Sequence, residues 1–417
     1  MLTRTIRLYR DSFAGLSKEV WLLSTVMLIN RSGMMVLPFI AIYLTGPLGF
    51  TLNQAGITMA CFGVGSVAGT YVGGYLTDRI GYYKVQFWSL LLTGLMFGVL
   101  MYMKTFLAFS ICLFFLTFIA DLFRPANFAA VRIYSKPVNR TRSISLIRLA
   151  INLGVGIGPA IGGLMAATYG YEWLFIGDGG TCILAAIFFR IALKEKKATP
   201  EEKETQKNLP KVSVWHDRYF RIFLGATFFM ALAFLQILYT TSMAFNDLFG
   251  IGEAGIGLLF GINGFLIFLI EMPIVFVLET RYNTLKLIAL GSFIIAGSYF
   301  VLVTPYGWIG LAFISILLIT FGEIISFPFS SAFAVERAPE GMVGRFMGMY
   351  GMMFSIAHII APIIGMQMIR VFGYSALYYL LGTFCLISGW GYWHLAGLLK
   401  KDPQPVLITD NLVVPGN

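Results

Sequence analysis

A single register relates two stretches of this chain. Residues 121–163 run Asp121-Leu-Phe-Arg124-Pro125, then a polar hinge (Arg132, Lys136, Pro137, Arg140, Arg142), then Gly154-Val-Gly156-Ile-Gly158-Pro159-Ala-Ile-Gly162-Gly163. Residues 323–366 follow the same order, with Glu323, Phe327-Pro328, Arg337, Pro339 and Arg345 leading to Ala361-Pro362-Ile-Ile-Gly365. Pro125 and Pro328, Arg142 and Arg345, Pro159 and Pro362, Gly162 and Gly365, and Gly170-Tyr171 and Gly373-Tyr374 are each 203 residues apart. One offset held over roughly fifty residues marks a tandem duplication, so the fold must contain the same unit twice.

Composition says what medium that unit lives in. Of 417 residues, 58% are hydrophobic and 12% charged, and the mean hydropathy is +0.80. Soluble domains carry about a quarter charged residues, so this chain cannot clothe a water-facing surface. Apolar runs near 20–45, 54–77, 85–103, 107–134, 143–168 and 173–193 are each long enough to cross a bilayer as a helix. A second set lies near 219–246, 254–278, 286–304, 308–334, 345–369 and 374–398. The expected fold is all-α and integral to the membrane, with twelve transmembrane helices in two six-helix lobes. The lobes are expected at 1–193 and 218–399, joined by a polar, charged linker at 194–217 and followed by a tail at 400–417.

The net charge of +10 does not point to nucleic acid, because the basic residues alternate between loops. Twenty-five of the 30 Lys and Arg fall on one side of the spans, only Lys104 and Arg370 on the other, and Arg31, Arg124 and Arg148 within them. This bias predicts both termini and the linker in the cytoplasm, with the protein in a bacterial inner membrane. Cys61, Cys112, Cys182 and Cys385 all sit in apolar runs and form neither a metal-like pattern nor a disulfide framework. No nucleotide-binding Gly-x-x-x-x-Gly-Lys-Ser/Thr loop occurs, so ATP cannot be the drive. Three histidines (His216, His358, His394) give no catalytic grouping, and the reading is not an enzyme, with no cofactor and no metal.

Gly73-Gly74-Tyr-Leu-Thr-Asp78-Arg79-Ile-Gly81-Tyr-Tyr-Lys84 closes the second run. Its glycines permit close helix contact, and a carboxylate here can meet the positive N-terminus of a neighbouring helix. The segment resembles the signature loop between helices two and three of the major facilitator superfamily. Tyr82 and Tyr83 stand where that family carries a basic residue, with Lys84 displaced by one position; the echo in the second half is reduced to Glu279, Arg281 and Lys286. Gly154 to Gly163, with Gly158, Pro159, Gly162 and Gly163 at its centre, is similar to the fifth-helix motif of the family's drug:proton antiporters. The resemblance implies that Gly74, Asp78, Arg79, Gly81, Lys84, Pro362 and Gly365 take part in gating as well.

Charges inside a membrane are costly and face a cavity or a partner. Asp121 and Arg124 share one helical face, Glu271 and Glu323 lie in the eighth and tenth runs, and Arg31 sits beside Asn30 in the first. Many drug:proton antiporters of the family that this chain resembles carry an acid in helix one, where this chain has Arg31, and similar transporters often carry an arginine in helix four, to which Arg124 is the nearest match. Proton coupling is therefore expected at Glu323, Asp121 or Glu271, with Glu323 favoured because no basic residue lies near it in sequence. Asn30, Arg31, Arg124, Asn127, Arg148, Gln236, Tyr239, Asn263 and His358 are the candidate cavity residues. The expected function is alternating-access, proton-coupled export of a small amphipathic or drug-like solute by a monomer whose partners are substrate, protons and lipid. A symporter importing a peptide, sugar or siderophore-like solute, with the three arginines suiting an anionic one, and a lipid flippase stay open beside it.

Overall fold

The computed structural model describes residues 2–196, 213–303 and 308–401, and their regular structure is entirely helical. Most of the expected linker (197–212) and nearly all of the expected tail (402–417) lie outside the described residues. Among the described residues, eleven helical stretches are long and apolar enough to cross a membrane, and the last, Val343–Lys401, turns at Gly373 (φ 81°) and so supplies two spans. That makes twelve. Spans one to six are Lys18–Thr45, Leu52–Ile80, Tyr82–Met101, Phe106–Tyr134, Pro137–Tyr169 and Glu172–Ala192. Spans seven to ten are Arg218–Phe249, Gly255–Leu278, Thr284–Leu302 and Ile309–Arg337, and Gly373 divides eleven from twelve.

The duplication reaches into the irregularities of the backbone. Gly170 (φ 94°) and Gly373 make the same left-handed turn, between spans five and six and between eleven and twelve. Only glycine adopts that conformation without strain, which is why the Gly-Tyr pair repeats in register. Span one breaks into Lys18–Ser32 and Val36–Thr45, and at the matching position span seven carries a π-helical segment, Ile237–Thr241. Each break has its own polar support. The buried Asp178 carboxylate of span six accepts from Met35 N at 2.8 Å and Val36 N at 3.1 Å, capping the second half of span one. In span seven, Gln236 Nε2 donates to Ala361 O at 2.6 Å while its Oε1 accepts from Thr240 at 2.8 Å.

Span five packs its glycine face onto the break in span one. A Cβ placed on Gly154 would lie 2.6 Å from Arg31 Cβ, on Gly158 3.0 Å from Met34 O, and on Gly162 2.9 Å from Met35 Cβ. The motif therefore works first inside its own lobe, holding the broken helix close. Gly365 does the same for the second lobe, against Gln236 and Thr240. Gly156 looks away from all of this, with nothing within 4 Å of a Cβ.

Gly162→Leu should overpack the contact with Met35 and cost about 1–3 kcal/mol, lowering the thermal unfolding midpoint of the purified protein. Gly156→Leu should stay within about 0.5 kcal/mol of wild type. Equal midpoints for the two variants would contradict the packing described.

Candidate functional site

The lobes meet along two antiparallel seams, span two against span eleven and span five against span eight. The face carrying the N-terminal helix Leu2–Phe13 is tied by polar contacts across both. In the first seam Asp78 accepts from Gly344 N at 2.7 Å and Arg345 N at 3.1 Å, with Arg345 Nε at 3.4 Å. A carboxylate thus caps the first turn of span eleven in the other lobe. Gly74 and Gly344 leave no space for a side chain between them, so the two backbones touch. In the second seam Arg142 Nε lies 2.5 Å from Glu279 Oε1, and its Nη1 reaches Ala14 O at 3.1 Å beyond the N-terminal helix. Burial pushes the Glu279 carboxyl up from its ordinary value, and the Arg142 guanidinium pulls it back. Arg142 and Arg345 are duplication partners, so each copy contributes one arginine to a latch on the other lobe. Arg132 adds bonds to Val335 O (2.9 Å) and Ala338 O (2.6 Å).

Two turns deeper along span five, Arg148 crosses the same seam. Its Nη2 donates to Glu323 Oε1 at 2.9 Å and its Nε lies 3.3 Å from Glu271 Oε1. The guanidinium also sits 5.3 Å from the Phe327 ring centroid. Glu271 is fully buried and its second oxygen has no partner among the described residues, whereas the Glu323 side chain keeps 9% exposure and that of Arg148 17%. One cation of the first lobe therefore holds two carboxylates of the second, so the expectation that Glu323 stands apart from basic residues holds in sequence but not in space. Sequence distance hid the partner, which arrives from the other copy.

A second polar cluster lies toward the middle of the spans. Arg124 Nη2 is 3.2 Å from Asp121 Oδ1, and Ser66 of span two donates to Asp121 Oδ2 and lies 3.0 Å from Ser355 of span eleven. Arg31 is within electrostatic reach of both Arg124 and Asp121. His358 is exposed, bonds Tyr239 Oη through Nδ1 at 2.9 Å, and follows by about one turn Ser355, which meets Ser66 of the facing lobe.

A family model described as Major Facilitator Superfamily matches residues 20–362. The chain belongs to this superfamily. Among curated relatives, the Na(+), Li(+), K(+)/H(+) antiporter of Planococcus maritimus is 26% identical over 408 residues, covering 89% of this chain and 94% of that protein. The uncharacterized MFS-type transporter YttB of Bacillus subtilis is 26% identical over 369 residues, covering 87% of this chain and 91% of that one. Among solved structures, a bacterial homologue of the iron transporter ferroportin in an outward-facing state superposes with a TM-score of 0.73 at 17% identity, over 91% of this chain and all of that one.

In this superfamily member the remaining candidates divide clearly. Asn263 donates to Thr320 at 2.8 Å, one turn from Glu323 on span ten, and Asn30 donates to Cys182 at 3.4 Å behind Arg31. Asn127 is buried with its Oδ1 unpartnered among the described residues, and Gln236 supports the π-segment of span seven. Arg79 and Lys84 are exposed and stand outside the latch. Three residues that matter here were not singled out in sequence. Asp178 was visible as a carboxylate inside an apolar run. Ser66 and Ser355 had no signal, since hydroxyls in helices usually bond their own backbone.

Removing the Arg142 guanidinium should loosen the N-terminal face. A cysteine at the buried Ser145, with the four native cysteines replaced, should react with a thiol reagent at least about tenfold faster in Arg142→Gln, given about 1.5–3 kcal/mol for a charged hydrogen bond. An unchanged rate would show that the latch does not hold the seam.

Proposed function

We propose that this protein is a proton-coupled antiporter that exports a small amphipathic solute by alternating access. The observation that carries this reading is Arg148, which ties the lobes together through two carboxylates able to take up protons. With the termini and the 194–217 linker in the cytoplasm of a bacterial inner membrane, as the 25-to-2 distribution of Lys and Arg favours, the latched face is the inner one. The cavity then opens outward. A proton arriving from outside neutralises Glu323, the carboxylate with residual exposure, and weakens its bond to Arg148. Arg148 then has one carboxylate in place of two, and the inner seam loses part of its hold. The lobes rock, the proton leaves to the cytoplasm, and the solute enters from that side. Restoring the Arg148 bonds returns the loaded carrier outward. Each charge is left unpaired only when a cavity can hydrate it, which keeps the cost of burying it low.

The name of the Planococcus maritimus relative favours a second reading, in which the exported solute is an alkali cation that competes with the proton at Glu271 and Glu323. The surplus of guanidinium groups at Arg31 and Arg124 speaks for a larger solute in the central cavity.

Everted membrane vesicles energised to a pH gradient, read with an acridine dye, separate these readings. Ethidium, dansyl-labelled amphiphiles and the chlorides of sodium, lithium and potassium are added in turn. Collapse of the gradient by an amphiphile in wild type, lost in Glu323→Gln, is the expected result. A response to the alkali salts alone would establish the second reading, and full exchange in both Glu323→Gln and Glu271→Gln would remove these carboxylates from coupling.

A further inference from the structure

The two polar clusters carry opposite imbalances of charge. Around Arg148 one guanidinium faces two carboxylates; around Asp121 two guanidinium groups, Arg31 and Arg124, face one. Arg31 is the odd member. Its only hydrogen-bonding contact among the described residues is Met34 Sδ at 3.9 Å, and its Nε is buried without a partner. No carboxylate of the described residues lies within 4.0 Å of it, because Asp121 is already engaged by Arg124 and Ser66. Asp178, the nearest acid on span six, is spent on the backbone of Met35 and Val36. Gly154 lets span five pack directly on the Arg31 backbone and Cβ, with no side chain between them. An arginine in a membrane protein stays fully charged, so its surplus has to be met by something that comes and goes.

We propose that Arg31, with Arg124 beside it, is the binding site for a carboxylate on the transported solute, which is thus an organic anion of single charge. The inference rests on the transport reading above and narrows its substrate class. Arg124 reaches toward span eleven, where a Cβ on Gly351 would lie 3.5 Å from its Cδ, so an anion held here touches both lobes. Tyr239 and His358, T-shaped at 6.2 Å between ring centroids and joined by their hydrogen bond, offer an aromatic wall for the apolar part of the solute. The planar fork of each guanidinium suits a carboxylate better than a halide or a neutral carbonyl. An alkali cation is disfavoured at the same place by simple repulsion.

The test uses three probes that share one fluorophore: dansylglycine (anionic), dansylamide (neutral) and dansylcadaverine (cationic). Binding to the full-length protein in lipid nanodiscs is read by fluorescence. Wild type should bind dansylglycine at least tenfold more tightly than either of the others. Arg31→Gln should remove that preference, and Arg31→Lys, which keeps the charge, should restore part of it, a pattern that misfolding or a packing role for Arg31 would not give. Glu323→Gln should keep the preference for the anion even where it abolishes exchange with protons, so failure of the coupling reading and failure of this one are told apart. Equal affinity for the three probes in wild type, no binding of dansylglycine, or an unchanged preference in Arg31→Gln would each overturn the proposal.

Discussion

The proposed movement of the lobes depends on how the Arg148 guanidinium is shared between Glu271 and Glu323. Three ionisable groups in the membrane interior are tolerable only as a hydrogen-bonded set. Removing one partner from such a set strands a charge, at a cost of about 3–5 kcal/mol, so the contact is strong against mutation and weak against protonation. Because the cation belongs to one lobe and both anions to the other, the state of the set and the separation of the lobes cannot be independent. Met272, beside Glu271, and Ala332 of the second lobe pack into the core cluster of the first, so apolar contact accompanies the charges across the seam.

The two seams are related by duplication yet held by different physics. Spans two and eleven approach through Gly74, Gly344 and Gly348, with backbones in contact and hydroxyls of Ser66 and Ser355 bridging deeper in. Close glycine packing of this kind depends little on protonation. Spans five and eight are held instead by Arg142–Glu279 and Arg148–Glu271, which a proton can weaken. The first seam also carries one carboxylate, Asp78, on the first turn of span eleven beside Arg345, so the two seams differ in how far glycine contact or ion pairing holds them. Deeper still, Arg31 and Arg124 stand near the single carboxylate of Asp121, which leaves an excess of one guanidinium there.

The fold was legible in the sequence because its determinants are local and repeated: apolar runs of spanning length, glycine at the left-handed turns of Gly170 and Gly373, and a basic bias between loops. The break in span one was not, since Ile29 to Val36 contains no proline and its support, Asp178, comes from five spans away. For the candidate site, residue types in apolar runs pointed to Glu271, Glu323, Asp121, Arg31 and Arg148 as a set. Their grouping could not be read, because each partnership crosses between helices far apart in the chain: 123 residues for Arg148–Glu271, 175 for Arg148–Glu323 and 137 for Arg142–Glu279. Glu279, which as a sequence motif was only a degenerate echo, forms a short ion pair at the latch because the duplication preserves geometry after it has lost the motif.

The link between protonation and lobe separation is most directly measured by pulsed electron–electron resonance. Spin labels at Lys136 and Glu340, exposed in the corresponding hinges of the two lobes, report the width of the N-terminal face. As pH falls through the acid range, neutralised carboxylates should release Arg148 and the distance distribution should shift to longer values. In the Glu271→Gln, Glu323→Gln double variant the distribution should no longer respond to pH. The same acid-driven opening in that variant would place the switch in the latch pairs and contradict a central role for Arg148.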